Sequence, residues 1–324
     1  MNWSAPVDGY RLAYDRAGSG RPVVLLHGWP GDRTDFADVA AHLSADVLRP
    51  DLRGFGESDK APAGSGGSAR RADPADRAPA VPGPIQAAAG GPAEPAAGGP
   101  AEPVDFGAAG QARSVVGLLD ELGLSRVVLA GYDVGSRVAQ TVAANYPDRV
   151  AALVVAPPLP GAGRRVLDPD AQPEFWYQAF HQLRLVEELI DGRPDAVRAY
   201  LRHFWSHWSG PDFTPTDVRL DHLTSRYGAP GAFTASIGWY RAGSAMIRSS
   251  LAETPPATRI GAPTTVLWPE FDPLFPRAWS DRLGEWFADV ELRHLDGVGH
   301  FSPVEAPEAF AAAITEAVGR AGSS

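Results

Sequence analysis

The stretch LAGYDVGSRVAQ, residues 129–140, opens as a strand, passes through a tight turn and leaves as a helix. Gly131 and Gly135 flank a single acidic residue, Asp133. A side chain at either glycine would crowd so sharp a turn. The helix that follows directs its first N–H groups back at the turn, where they favour negative charge. The turn therefore presents a carboxylate at the carboxyl end of a strand, where open α/β sheets gather their functional groups.

Working outward, the flanking chain repeats the strand–helix alternation. RPVVLLHG (residues 21–28) and ADVLRPDLRG (residues 45–54) read as buried strands that end in glycine turns. Ala112, Val115, Val116, Leu119 and Leu122 recur at helical spacing, and Gly123 supplies a C-cap. SRVVLAG is the next strand, SRVAQTVAANYPDRV the next helix and VAALVVAPP a further strand. Near the C-terminus APTTVLWP (strand), RAWSDRLGEWFADV (helix), VELRHL (strand) and a closing helix after Pro307 resume the pattern. This alternation predicts an α/β fold: a doubly wound, mostly parallel sheet with helices on both faces.

Two segments break the rhythm. Residues 60–103 collapse to Ala, Gly, Pro and Ser, with AAGGPAEP in tandem at 88–95 and 96–103. Such a composition buries too little apolar surface to offset its ordering entropy and predicts a disordered surface loop. Residues 157–255 are instead rich in Trp, Tyr, Phe, His and Leu, with helical stretches such as FWYQAFHQLRLVEELIDG and PDAVRAYLRHFWSHWSG. They predict a folded helical insertion between two parts of the core, residues 1–156 and 256–324. An aromatic helical layer over a sheet end suits the wall of an apolar pocket; the alternative is that its tryptophans pack only the insertion's own core.

Bulk properties exclude several classes. The formal charge of −10 over 324 residues and the absence of a Lys/Arg-rich run argue against a nucleic-acid partner. With no Cys, disulfides, thiolate metal sites and a cysteine nucleophile are excluded together. No segment reads as a signal peptide or a membrane span, so the expected location is the cytoplasm, with no membrane partner. No ligand cluster of suitable spacing implies a metal, and no organic cofactor is expected.

If Asp133 is a nucleophile, an acid and then a histidine are expected further along, each after its own strand. Asp272 follows TTVLW in PEFDPLF, with Glu270 as a substitute, and His300 follows VELRHL in DGVGHFSP. HGWPG (residues 27–31) follows another strand. There the backbone N–H of Trp29, with that of Val134, suits an oxyanion hole. Pro30 suits a tight turn with a cis bond, and His27 suits a structural hydrogen bond.

HGWPG, DLRGFGESDKA (residues 51–61), GYDVGS (residues 131–136) and GVGHF (residues 297–301) together resemble the α/β-hydrolase superfamily over nearly the whole chain outside 60–103. The aspartate at the turn resembles the branch that holds epoxide hydrolases and haloalkane, haloacid and fluoroacetate dehalogenases. The insertion, called the cap in this family, separates them. WYQAFHQ (residues 176–182) resembles the first epoxide-hydrolase tyrosine motif and GWYRAG (residues 238–243) the second, which implies that Tyr177 and Tyr240 hold the epoxide oxygen. Haloalkane dehalogenases are instead similar in HGNP and in a Trp after the nucleophile, and fluoroacetate dehalogenases in WHW; this chain carries Trp29, Val134 and WYQ. It also departs from most epoxide hydrolases, which have His and Trp where Tyr132 and Val134 stand. The resemblance implies a hydrophobic epoxide and water as reactants and a covalent ester on Asp133. A dehalogenase using the same Asp133, Asp272 and His300, with the Trp29 indole as halide donor, stays open, as does a ligand-binding homologue without turnover. Oligomeric state is not legible.

Overall fold

The runs Val23–Leu26, Val127–Ala130 and Val150–Val155 are buried on both sides, as the centre of a parallel sheet covered by two helical layers requires. The computed structural model describes residues 1–61, 105–244 and 247–321, and the tandem repeat of 88–103 lies outside them. Eight strands form one sheet: β1 (Asn2–Trp3), β2 (Ala13–Ala17), β3 (Pro22–Leu26), β4 (Asp46–Pro50), β5 (Val127–Gly131), β6 (Val150–Val155), β7 (Thr264–Pro269) and β8 (Val290–Leu295). Their order is β1-β2-β4-β3-β5-β6-β7-β8. The strands from β4 to β8 run parallel, and β1 and β2 are antiparallel additions at one edge. Those two edge strands lack a long apolar run, and the reading of the sequence passes over them.

Helices α1 (Ala37–Ala41), α2 (Ala108–Glu121) and α3 (Val134–Asn145) belong to the first half of the core. The C-cap of α2 is Leu122, and Gly123 follows it at φ +67°, the left-handed position that ends the helix. Between β6 and β7 come α4 (Trp176–His181), α5 (Leu185–Leu189), α6 (Pro194–His207), α7 (Asp217–Tyr227), α8 (Ala232–Ser236), α9 (Gly238–Arg241) and α10 (Ile247–Ala252). The stretch expected as one long helix after residue 175 is broken into α4 and α5. After β8, α11 (Ser302–Glu305) and α12 (Pro307–Ala321) close the chain. Residues Arg277–Glu285, expected as part of an α-helix, form a 3-10 helix.

The order places β3 beside both β4 and β5, so the chain leaves β3 in one direction and returns on the other side. That reversal makes the carboxyl ends of β3 and β5 the topological switch point, the place where open α/β sheets bind ligands. Leu26, the last residue of β3, pairs with Gly131, the last of β5. HGWPG and the Asp133 turn therefore leave the sheet side by side.

Candidate active site

The turn after β5 works only with glycines around it. A Cβ on Gly135 would lie 1.9 Å from the Leu26 carbonyl oxygen, and one on Gly131 2.6 Å from the Gly135 backbone. Across the gap, a Cβ on Gly28 would lie 2.5 Å from the Asp133 Cβ. Asp133 itself takes φ +48°, ψ −122°, a backbone state that costs about 1–3 kcal/mol for a non-glycine residue and persists where its surroundings over-determine it. Its N–H donates to the Pro157 carbonyl at 3.0 Å, which ties the turn to the end of β6.

Asp133, Asp272 and His300 come from three separate loops and meet. The His300 Nδ1 lies 2.9 Å from Asp272 Oδ2, and Asp272 Oδ1 accepts the Leu274 N–H at 2.9 Å. The His300 Nε2 is 3.3 Å from Asp133 Oδ2, but the direction is poor, and Nε2 has no hydrogen-bond partner. Glu270, by contrast, is exposed and accepts the Gly297 N–H, so Asp272 is the acid in contact with the histidine. The loop of His300 is held from the insertion: its N–H donates to the Trp208 carbonyl at 2.7 Å, and the Trp208 ring lies 5.1 Å from the imidazole.

Burial disfavours a charged His300, but the Asp272 carboxylate and then Asp133 overcome it and push the imidazole up to about 10. In the resting site the histidine is an imidazolium between two carboxylates. Losing the charge on Asp133 would remove part of that support.

The other carboxylate oxygen, Asp133 Oδ1, accepts the Trp29 N–H at 2.7 Å. Val134 opens α3, so its N–H belongs to the first-turn donors that have no partner within the helix. The Trp29–Pro30 peptide is cis. The His27 ring bridges backbone, with Nε2 accepting the Leu52 N–H at 3.0 Å and Nδ1 lying 2.9 Å from the Gly28 carbonyl, which ties the loop to the end of β4.

Above these loops the insertion lays down an aromatic roof. Tyr177 stacks on Trp29 with ring centres 5.9 Å apart, and Tyr240 meets Tyr177 edge-on at 5.5 Å. Both phenols are buried, and their hydroxyls interact with each other. Burial raises both above the ordinary phenol range, and the Asp133 charge adds to it. They stay protonated donors while Asp133 is ionised. The Trp29 indole N–H, the candidate halide donor, is directed at Ser236 Oγ, 3.3 Å away.

Three contributors escape the sequence reading. His181, one turn after Tyr177, is fully buried, 3.0 Å from the Tyr200 hydroxyl, and lowered to about 3 by burial and then by Arg241, so it is a neutral member of the roof. Trp208 contacts His300 rather than packing the insertion alone. Asp35 receives the hydroxyl of Tyr132, the residue before Asp133, at 2.6 Å. The one signal for Asp35 was Tyr132 itself, a residue unusual at its position and in need of an acceptor once buried.

A cavity of about 430 Å³ lies beside α3, walled by Arg137, Thr141, Trp239 and Trp286. Its walls do not include Asp133, Asp272 or His300. Among the described residues no group of three or more His, Asp or Glu could hold a metal ion, and no helix is long and apolar enough to cross a membrane.

Residues 21–307 match the family described as alpha/beta hydrolase fold. The chain is 27% identical to the soluble epoxide hydrolase of Corynebacterium sp. (strain C12), over 94% of this chain and 92% of the relative. It is 24% identical to haloalkane dehalogenase 2 of Mycobacterium bovis, over 95% and 92%. Among solved structures, the epoxide hydrolase CorEH superposes with a TM-score of 0.72 at 23% identity, covering 97% of this chain and 96% of that one. A likeness at that identity is one of fold.

Proposed function

The chain belongs to the α/β-hydrolase fold family, and from that premise we propose that it is an epoxide hydrolase that opens a hydrophobic epoxide through an alkyl ester on Asp133. Hydrolase activity in general is supported by its relatives. The narrower reading rests on one observation: two buried, mutually interacting phenols, Tyr177 and Tyr240, in the roof above a carboxylate nucleophile. In this reading residues 157–255 act as the cap that carries the phenols, and the core of 1–156 and 256–324 carries the triad.

Asp133 Oδ2 attacks an epoxide carbon from behind. The ring C–O bond breaks with its electron pair going to oxygen, which is held by the two phenols and protonated, leaving a hydroxyl. The proton is made good from the His300 imidazolium, so that the ester form holds a neutral histidine. His300, oriented by Asp272, then takes a proton from water as the hydroxide adds to the ester carbon. The oxyanion formed at Oδ1 is met by the N–H groups of Trp29 and Val134. Collapse expels the diol oxygen, which takes the remaining proton, and the enzyme returns to carboxylate and imidazolium. A serine would give a stable ether with no carbonyl for water to attack; a carboxylate is regenerated.

The test is the intact mass of His300→Gln after incubation with a panel of epoxides and haloalkanes. The expected result is a gain equal to one whole epoxide, because removal of the base stalls the ester. A gain equal to a haloalkane less hydrogen halide would make the protein a dehalogenase. A folded variant that gains no mass with any member of the panel would refute covalent chemistry at Asp133 with these substrates.

A further inference from the structure

The residues next in sequence to the reacting groups are gripped by one cluster centred on α7. Asp35 is fully buried, and its two oxygens are divided: Oδ2 accepts the Tyr132 hydroxyl at 2.6 Å and Oδ1 accepts Arg219 Nη1 at 2.9 Å. The loop above is cut to fit it, because a Cβ on Gly31 would lie 1.8 Å from Asp35 Oδ2. Burial and the neighbouring Asp32 charge push the Asp35 carboxyl up to about 6, with Arg219 the largest influence holding it down.

The same guanidinium lies over the Trp205 ring, 4.7 Å from its centre. Trp205 stacks on Phe301 at 3.7 Å, nearly parallel, and its indole N–H donates to the Pro30 carbonyl at 3.0 Å. Through Asp35 and the α6 residue Trp205, one α7 side chain is thus linked to Tyr132, which precedes Asp133; Pro30, which follows Trp29; and Phe301, which follows His300. Two further α7 residues on the same face dock the helix, His222 at 2.7 Å from Asp32 and Arg226 against Glu57.

We propose that Arg219 is a positioning residue. By compensating the buried charge of Asp35 and bracing Trp205, it aligns the nucleophile, oxyanion and histidine loops, so that seating the helical insertion on the core and assembling the catalytic geometry are one event. An Asp35 left without Arg219 draws water or shifts toward solvent and pulls Tyr132 with it. An asparagine at position 35 still accepts from Tyr132 and carries no charge to compensate, so it relieves the loss of Arg219.

The proposal rests on the epoxide-hydrolase reading only for its kinetic arm. Full-length wild type, Arg219→Met, Asp35→Asn and the double variant are compared in two measurements, with melting and circular dichroism to establish folding. The first, without substrate, is the His300 imidazole N–H resonance in the NMR spectrum. It is expected to shift or broaden in Arg219→Met and to return in the double variant. The second is single-turnover ester formation at saturating styrene oxide. It is expected to fall at least tenfold in Arg219→Met, with substrate dissociation constant within twofold of wild type, and to recover to within threefold in the double variant. If Arg219→Met does not fold, Tyr132→Phe, which deletes one oxygen, carries the same two expectations with at least a threefold loss. A folded single variant with unchanged resonance and rate, or a double variant whose loss is the product of the singles, overturns the proposal. Wild type that makes no diol from any epoxide overturns the functional reading instead, and the resonance then decides Arg219 alone.

Discussion

Replacing Asp133 by Asn copies, without substrate, the loss of charge that the proposed ester formation would bring, and it tests whether the charge of His300 is switched by Asp133. The two groups lie 3.3 Å apart, with Asp272 at 2.9 Å on the other side of the ring. Unit charges at the 3.3 Å separation of His300 and Asp133 interact by about 5 kcal/mol at an effective dielectric of about 20. At about 1.4 kcal/mol per tenfold change in proton affinity, removing that attraction lowers the affinity of the imidazole more than a thousandfold. Asp272 remains, and burial still opposes charge, so His300 should fall from about 10 to the neutral range. The histidine is then an imidazolium before attack and a free base once the ester exists, which is the order that hydrolysis needs. The assay is a pH titration of the His300 ring resonances in wild type and Asp133→Asn. Equal midpoints in the two proteins would refute the switch and would make Asp272 alone responsible for the raised value.

Further outcomes follow from the same geometry. Tyr177→Phe and Tyr240→Phe should each slow ester formation about 100-fold, the usual cost of one donor to a developing oxyanion, and the pair together should nearly abolish it; single-turnover kinetics read this, and an unaffected single variant would remove that phenol from the reaction. Gly135→Ala should destabilise the fold by about 3 kcal/mol or more in urea unfolding, because its Cβ would meet the Leu26 carbonyl at 1.9 Å; a change below about 0.5 kcal/mol would contradict the packing at the turn. Since folding raises the His300 affinity for protons, its contribution to stability is fully present below about pH 6.5 and is lost as pH rises through about 10. Wild type should therefore lose a few kcal/mol relative to His300→Gln across that window, and parallel stability curves for the two proteins would argue against a charged histidine in the folded state.

The meeting of Asp133, Asp272 and His300 was legible in the sequence because its signals are local. Two glycines around Asp133 mark a turn whose crowding forbids side chains, and the apolar runs before Gly28, Asp133 and Asp272, with the alternating VELRHL before His300, each mark a strand that delivers the loop after it to the same end of a parallel sheet. Strand order then brings those residues together without further information. The short edge strands β1 and β2 were missed because neither has a long apolar run, and Arg277–Glu285 was read as α-helix because periodicity alone does not separate it from a 3-10 turn.

What only the tertiary structure decided concerns partners brought from far along the chain. Tyr177 and Tyr240 are 63 residues apart in sequence, and their shared place in the roof depends on how α4 and α9 fold over Trp29. The charge on His300 is set by two carboxylates at 3.3 Å and 2.9 Å against complete burial, quantities that sequence does not contain. Asp35 and Arg219 look like ordinary surface charges of a loop and a helix until folding buries one and points the other at it. Local chemistry is written in short spacing, whereas burial and charge pairing across the insertion arise from packing, and those are what fix protonation and alignment.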